Sequence, residues 1–240
     1  MNWQNVATIA RKDITIMMTR RSLRIALVVL PLGLAVLFSQ IIARSSMSAD
    51  QLPKFLNAFL FFFMIYTGAL PANLASYSMV GEKVERSLEP LLATPASDGE
   101  ILLGKALAAL VPPLVVMWAG MVLLMTLCDA FTHATLGYLY FPNWLAAVTV
   151  FGLAPLLAIM AVSFSVLMSA RVSEVRTAQQ LGALSAIPGA VLYIGLVAGA
   201  FSLDLASLVV LCGVFAAVDA GLALAARATF HREEILTRWA

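Results

Sequence analysis

Charge is what this sequence has least of. Its 240 residues include 15 Lys and Arg and 13 Asp and Glu, 12% of the chain, where a soluble globular domain carries roughly a quarter. An element with one face in water needs polar residues on that face. Half the usual share therefore excludes an ordinary soluble fold and makes lipid the solvent for most of the chain. Cysteine is scarce too. Cys128 and Cys212 lie within or at the ends of apolar runs, without neighbours at ligand spacing, which excludes a disulfide framework and leaves both as small apolar residues. His133 with Asp129 is too little for zinc or for a Ser–His–Asp arrangement, so no metal site and no catalytic residue is assigned. The net charge of +2 is too small to suggest a nucleic-acid partner. There is no internal repeat and no low-complexity segment. The longest polar stretch, about 20 residues, is too short for a core of its own.

What the sequence does have is long apolar runs, which place it as an all-α integral membrane protein. Six can be marked: Ile25–Ile42, Phe55–Val80, Ile101–Cys128, Trp144–Ala170, Leu181–Phe201 and Leu205–Ala226. Crossing ~30 Å of hydrocarbon takes about 20 helical residues. The first run is the shortest at 18 residues, and Arg24 and Arg44 can snorkel from its ends. The middle three are long enough to tilt or to project. The runs are continuously apolar rather than alternating, which argues against barrel strands. The first run starts only at Ile25, behind a basic segment, and no small-residue cleavage site follows it, so a retained anchor is expected rather than a signal peptide.

Charge then sets orientation. With a cytoplasmic N-terminus, 13 of the 15 basic residues fall inside, leaving only Arg44 and Lys54 outside. Lys and Arg are retained on the cytoplasmic side during insertion, so both termini are expected there. Before the first span, in residues 1–24, Trp3, Val6, Ala7, Ala10, Ile14, Met17 and Met18 recur at helical spacing, with Gln4, Thr8, Arg11, Lys12 and Thr15 on most of the other face. This pattern predicts an interfacial helix with its basic residues toward lipid headgroups; the alternative is a polar tail of no consequence. The tail, 227–240, is expected in the cytoplasm. All of this is one membrane domain, 1–240.

The loop 81–100 between spans two and three is the most informative segment. Alternating charges from Glu82 to Arg86 precede Leu88, Leu91 and Leu92 at i, i+3 and i+4, giving a short helix with one apolar edge. Pro90 is tolerated in its first turn and Pro95 ends it. Ser97 and Glu100 form a capping-box pattern that starts the third span. A charged-rimmed amphipathic helix between two spans suits a groove on a cytosolic protein. On the residues alone, a plain loop whose charges only satisfy topology remains equally open.

Gly81-Glu82-Lys83, Glu85-Arg86-Ser87-Leu88-Glu89-Pro90-Leu91-Leu92-Ala93-Thr94-Pro95 and Glu100-Ile101-Leu102-Leu103-Gly104-Lys105 together resemble the loop of type-2 ATP-binding-cassette (ABC) transporter permeases. The likeness is specific over about 25 residues, and the span count, the N-terminal helix and the tail Phe230–Leu236 are in keeping with it. The resemblance implies that the loop holds a cytoplasmic coupling helix docking on a separate cytosolic ABC ATPase through Glu82, Glu85, Arg86, Leu88, Glu89, Leu91 and Leu92. It also implies an exporter in the bacterial inner membrane, with a permease homodimer and two ATPase copies. This chain would carry no cofactor and no enzymatic activity, with ATP and Mg on the ATPase. Family members often carry re-entrant hairpins before the last span. Here only Ser202, Leu203 and Asp204 separate spans five and six, so any hairpin must be built from the spans themselves. Alternatives are a haem-exporter-like permease of cytochrome maturation, a self-contained channel, or an intramembrane lipid-modifying enzyme.

Gly99 to Lys105 matches the start of a phosphate-binding P-loop, but Ala106 replaces the magnesium-binding hydroxyl and no strand precedes it. Asp219 is the one acidic residue well inside a span, and a carboxylate there is expensive unless hydrated or paired. It is a substrate-path candidate, or else a neutral or near-interface residue. Tyr66, Asn73 and Tyr193 are further path candidates, and polar residues in spans also serve packing. Pro188 offers a bend, and Gly195 and Gly199 a small-xxx-small contact, read either as a gate element or as close helix packing. The aromatic residues of the outer loop Asp129–Asn143 are read as an interfacial belt.

Overall fold

The computed structural model describes residues 2–84, 96–169, 172, 174–199 and 204–229, with the side chains of 82–84 and 227–229 left aside. Among the described residues every regular element is a helix. Helix α1 is Trp3–Thr19, followed by α2 (Arg21–Ala43), α3 (Leu52–Val84), α4 (Asp98–Leu136), α5 (Trp144–Ser169), α6 (Val175–Val197) and α7 (Leu205–Thr229). From α2 to α7, each helix is long and apolar enough to cross a membrane.

The ends of these helices follow from local chemistry. Asn2 accepts the N–H of Gln4 and starts α1. Ser97 and Glu100 satisfy each other's backbone N–H groups in a capping box that starts α4, as their spacing predicts. Gly137 ends α4 at φ 77°, in the left-handed region, and its N–H donates to the His133 carbonyl. Helix α4 therefore runs past the expected end of the third span at Cys128. At 39 residues and ~1.5 Å per residue it is about 58 Å long, well beyond a bilayer core. Asp129 and His133, expected in a loop, are helical. The Asp129 carboxylate accepts the N–H groups of Tyr140 (3.1 Å) and Phe141 (3.1–3.2 Å) and pins the reversal into α5.

Two spans are irregular where proline or packing demands it. In α5, residues Thr149–Leu153 are π-helical just before Pro155, and in the i→i−5 register the missing proline N–H falls opposite the Val150 carbonyl. That carbonyl accepts instead from the Trp118 indole at 2.9 Å. In α6, Leu184–Ala186 form a 3₁₀ turn, and Pro188 stands in the first turn of the helical segment after it. Proline fits there without a lost hydrogen bond.

Helices are held together here by packing rather than by exclusion of water, because lipid is as apolar as leucine. Close approach matters most along the α3–α6 seam. A Cβ at Gly189 would lie 2.6 Å from the Met64 carbonyl oxygen, at Gly182 2.7 Å from Ser76 Oγ, and at Gly68 2.7 Å from the Ser185 carbonyl oxygen. Ser76 and Ser185 donate across that seam to the carbonyls of Ala178 and Gly68. One core, around Phe61, Phe63, Met117 and Leu153, fills the middle of the bundle. A second, around Met17, Leu74, Met79 and Val166, lies toward the end that carries the 85–95 segment.

Candidate functional site: the junction around the 85–95 segment

Of the docking candidates, Glu82 lies in the last turn of α3. Glu85, Arg86, Leu88, Glu89, Leu91 and Leu92 lie outside the described residues. The structure does define what the segment is mounted on: the end of α3, the start of α4, and α1 laid against both.

Helix α1 turns Val6, Ile9, Asp13 and Met17 inward, at spacings of three and four, while Trp3, Arg11, Lys12 and Ile16 are exposed. The inward stripe packs on α4, whose matching stripe is Glu100, Ile101, Gly104, Lys105 and Ala108. Much of the apolar face expected to lie in the membrane surface is thus taken up by protein. Gly104 is the point of closest approach: a Cβ there would lie 2.9 Å from Ile9 Cβ and 3.1 Å from the Val6 carbonyl oxygen.

Polar contacts clamp the pair at both ends. At the start of α4, Glu100 accepts the Asn2 N–H and, at 2.9 Å, the Asn5 amide, besides closing its own capping box. One and a half turns further, Lys105 Nζ meets Asp13 Oδ2 at 3.2 Å. Their side chains are 0% and 4% exposed. Ser78, on α3, donates to the same carboxylate oxygen at 2.7 Å, and its own Oγ and carbonyl accept from Lys105 at 3.3 and 3.4 Å. Two buried charges of opposite sign, hydrogen-bonded to a third group, are tolerable in low dielectric only because each satisfies the other. Nearby, the Arg20 guanidinium sits 4.7 Å from the centre of the Tyr77 ring, a cation–π contact between the α1–α2 turn and α3.

The result is a block in which α1, α3 and α4 are cross-tied on both flanks of the 85–95 segment. Sequence reasoning missed Asp13 and Ser78, and it met Lys105 as a basic residue, as the end of the family-like segment and as part of a phosphate-loop look-alike, without a buried partner. One signal was available: Asp13 falls on the same helical stripe as Val6, Ile9 and Met17, and a charge on an apolar stripe asks for a partner.

The path candidates do not form one site. Tyr66 and Tyr193 come together on the ring of Phe62, at centroid distances of 5.9 and 5.3 Å. Asn73, further along α3, donates to the Ala69 carbonyl of its own helix at 2.9 Å. Asp219 is on α7, which packs principally on α5. Gly195 is half-buried on α6. Gly199 follows that helix at φ 72°, with no described atom within 4 Å of a Cβ built there, so the close contacts fall to Gly68, Gly182 and Gly189.

Six apolar helices define a multi-pass membrane protein, and the cross-tied junction between its second and third spans sets it apart from a simple bundle. The family model for ABC-2 family transporter proteins matches residues 7–206, from within α1 to the start of α7. The chain belongs to that family and is a permease component of an ABC transporter. No curated protein matches it.

Proposed function

We propose that this permease is the membrane half of an exporter, driven by a separate cytosolic ATPase that docks on the segment from Glu82 to Leu92. The end of the bundle carrying α1 and the 85–95 segment faces the cytoplasm of a bacterial cell, with both termini there. The basic residues concentrate at that end. Two copies line the path, with two ATPases below, and ATP and Mg are held by the ATPases.

The observation that carries this reading is the Asp13–Ser78–Lys105 cluster. A docking segment mounted on one free helix end would yield when pushed, and its displacement would die out in that helix. Here both flanks are tied to each other and to α1, so a displacement of the segment moves three helices together. Closure of the ATPases on ATP then shifts the permease between inward- and outward-facing states, because the ATP-bound ATPases favour one of the two.

The test is purification of the tagged chain in mild detergent, with mass spectrometry and an ATPase assay. A nucleotide-binding subunit should co-purify, and Leu91→Asp with Leu92→Asp should release it while membrane insertion stays intact. Retained assembly in that double variant would overturn the docking assignment.

A further inference from the structure

Along its second half, helix α2 turns one whole face outward. Gly33, Val36, Leu37, Gln40, Ile41 and Arg44 recur at helical spacing, all are exposed, and together they line a groove of about 330 Å³. Gly33 forms the inner end of this groove. No described atom lies within 4 Å of a Cβ built there, so the notch exists because the side chain is missing. One turn earlier on the same stripe, Val29 and Leu30 stand out at 58% and 43% exposure and close it off. The other end is polar. Arg44 and Gln40 both belong to the lining, and among the described residues neither side chain has a hydrogen-bond or ionic partner.

The depth of the groove matches one leaflet. Gly33 to Arg44 is a rise of about 16 Å at ~1.5 Å per residue, roughly half of a ~30 Å hydrocarbon core. Arg44 caps the end of α2, so the cation stands at the membrane boundary with an apolar channel below it. The carbonyl end of a helix repels anions, but here it is largely satisfied. The Ile42 carbonyl accepts the N–H and the hydroxyl of Ser45, at 3.0 and 2.7 Å, and the Gln40 carbonyl accepts the Arg44 N–H at 3.1 Å.

We propose that this face of α2 is a binding site for one anionic phospholipid. An acyl chain lies along Ile41, Leu37 and Val36 down to the Gly33 notch, and the phosphate meets Arg44 and Gln40. Charge complementarity selects the headgroup. The guanidinium offers a fork of donors that fits phosphate oxygens, and the Gln40 amide adds an N–H beside it. A zwitterionic lipid brings its own cation to the same point and gains less. A second copy of the chain is the poorer occupant. Packed on this face about a twofold axis along the membrane normal, it would set Arg44 against Arg44, and like charges repel. The site requires neither the ATPase nor the docking segment.

The experiment titrates phosphatidylglycerol into the delipidated full chain in mild detergent and counts bound lipid by native mass spectrometry. Arg44→Gln is expected to weaken the tightest binding step about fivefold at low salt, the contribution of one basic residue near a membrane surface. Gly33→Leu should weaken it too by filling the notch, and with open space around Gly33 the fold should be unaffected. Lys54, the other basic residue expected on this side, does not line the groove, so Lys54→Gln should bind like the wild type. Phosphatidylethanolamine should bind more weakly than phosphatidylglycerol. The proposal is overturned if Arg44→Gln binds as tightly as wild type, if Lys54→Gln loses as much, or if the two lipids bind equally. It is also overturned if Leu37→Cys, in a chain with Cys128 and Cys212 replaced by Ser, forms disulfide-linked dimers in the membrane, since a second copy would then occupy the face.

Discussion

Lys105 and Asp13, 92 residues apart in the chain, meet at 3.2 Å where neither side chain reaches solvent. Removing Lys105 leaves the Asp13 carboxylate buried without this counter-charge, which costs about 3–5 kcal/mol, whereas replacing both by apolar residues of similar volume is often neutral or stabilising. Lys105→Met alone should lower the midpoint of thermal unfolding in detergent markedly. The double variant Asp13→Leu with Lys105→Met should recover most of the loss. If the single variant unfolds like the wild type, the pair contributes nothing to the fold.

Gly104 sets how closely α1 lies on α4. Ala there puts a methyl 2.9 Å from Ile9 Cβ, and overpacking of this kind costs about 1–3 kcal/mol. Gly104→Leu should lift α1 away altogether. Faster tryptic cleavage at Arg11 and Lys12, with the spans still protected, is the expected result.

Glycines 189 and 199 should respond oppositely to the size of the new side chain. At Gly189 the obstacle is the Met64 backbone, 2.6 Å from the new Cβ, so Ala destabilises and Leu does so far more. At Gly199 the obstacle is φ 72° in open space. Ala and Leu should there cost about the same, roughly 1 kcal/mol. Unfolding midpoints of the four variants check this.

Asp204, just ahead of α7, has its carboxyl held below the ordinary 3.8, chiefly by the hydrogen bond from the Ser207 side chain. A lowered folded-state pKa means the contact stabilises above the unfolded pKa and is lost as pH falls through the folded one. The first turn of α7 should therefore fray in acid below the usual carboxylate range. Amide exchange over 205–208 should rise there in the wild type, while Asp204→Asn should be insensitive to pH.

Much of this architecture was legible because its causes are local. Six spans follow from six apolar runs, each of which must close its backbone hydrogen bonds within itself in lipid. The start of α4 follows from Ser97 and Glu100, three residues apart. The end of α4 was misplaced for the same reason. Asp129 and His133 look like loop residues by polarity, but the helix continues to Leu136, and Asp129 is employed by a reversal eleven and twelve residues further on.

The sequence by itself determined that the chain lives in a membrane, how many times its helices can cross, and which segments are amphipathic, since each of these depends only on composition and spacing. The tertiary structure decided what the polar residues are for. Gly104-Lys105 reads along the chain as a fragment of a phosphate loop. In space the glycine makes room for Ile9 and the lysine neutralises Asp13. Asp219 reads as one costly residue in a span, and only the packing of α7 on a helix with no charge of its own shows that among the described residues its carboxylate oxygens have no hydrogen-bond partner. The physical reason is the same in both cases. A buried charge is explained by its partner or by the lack of one, and a partner is a property of distance in space, which sequence separation does not encode.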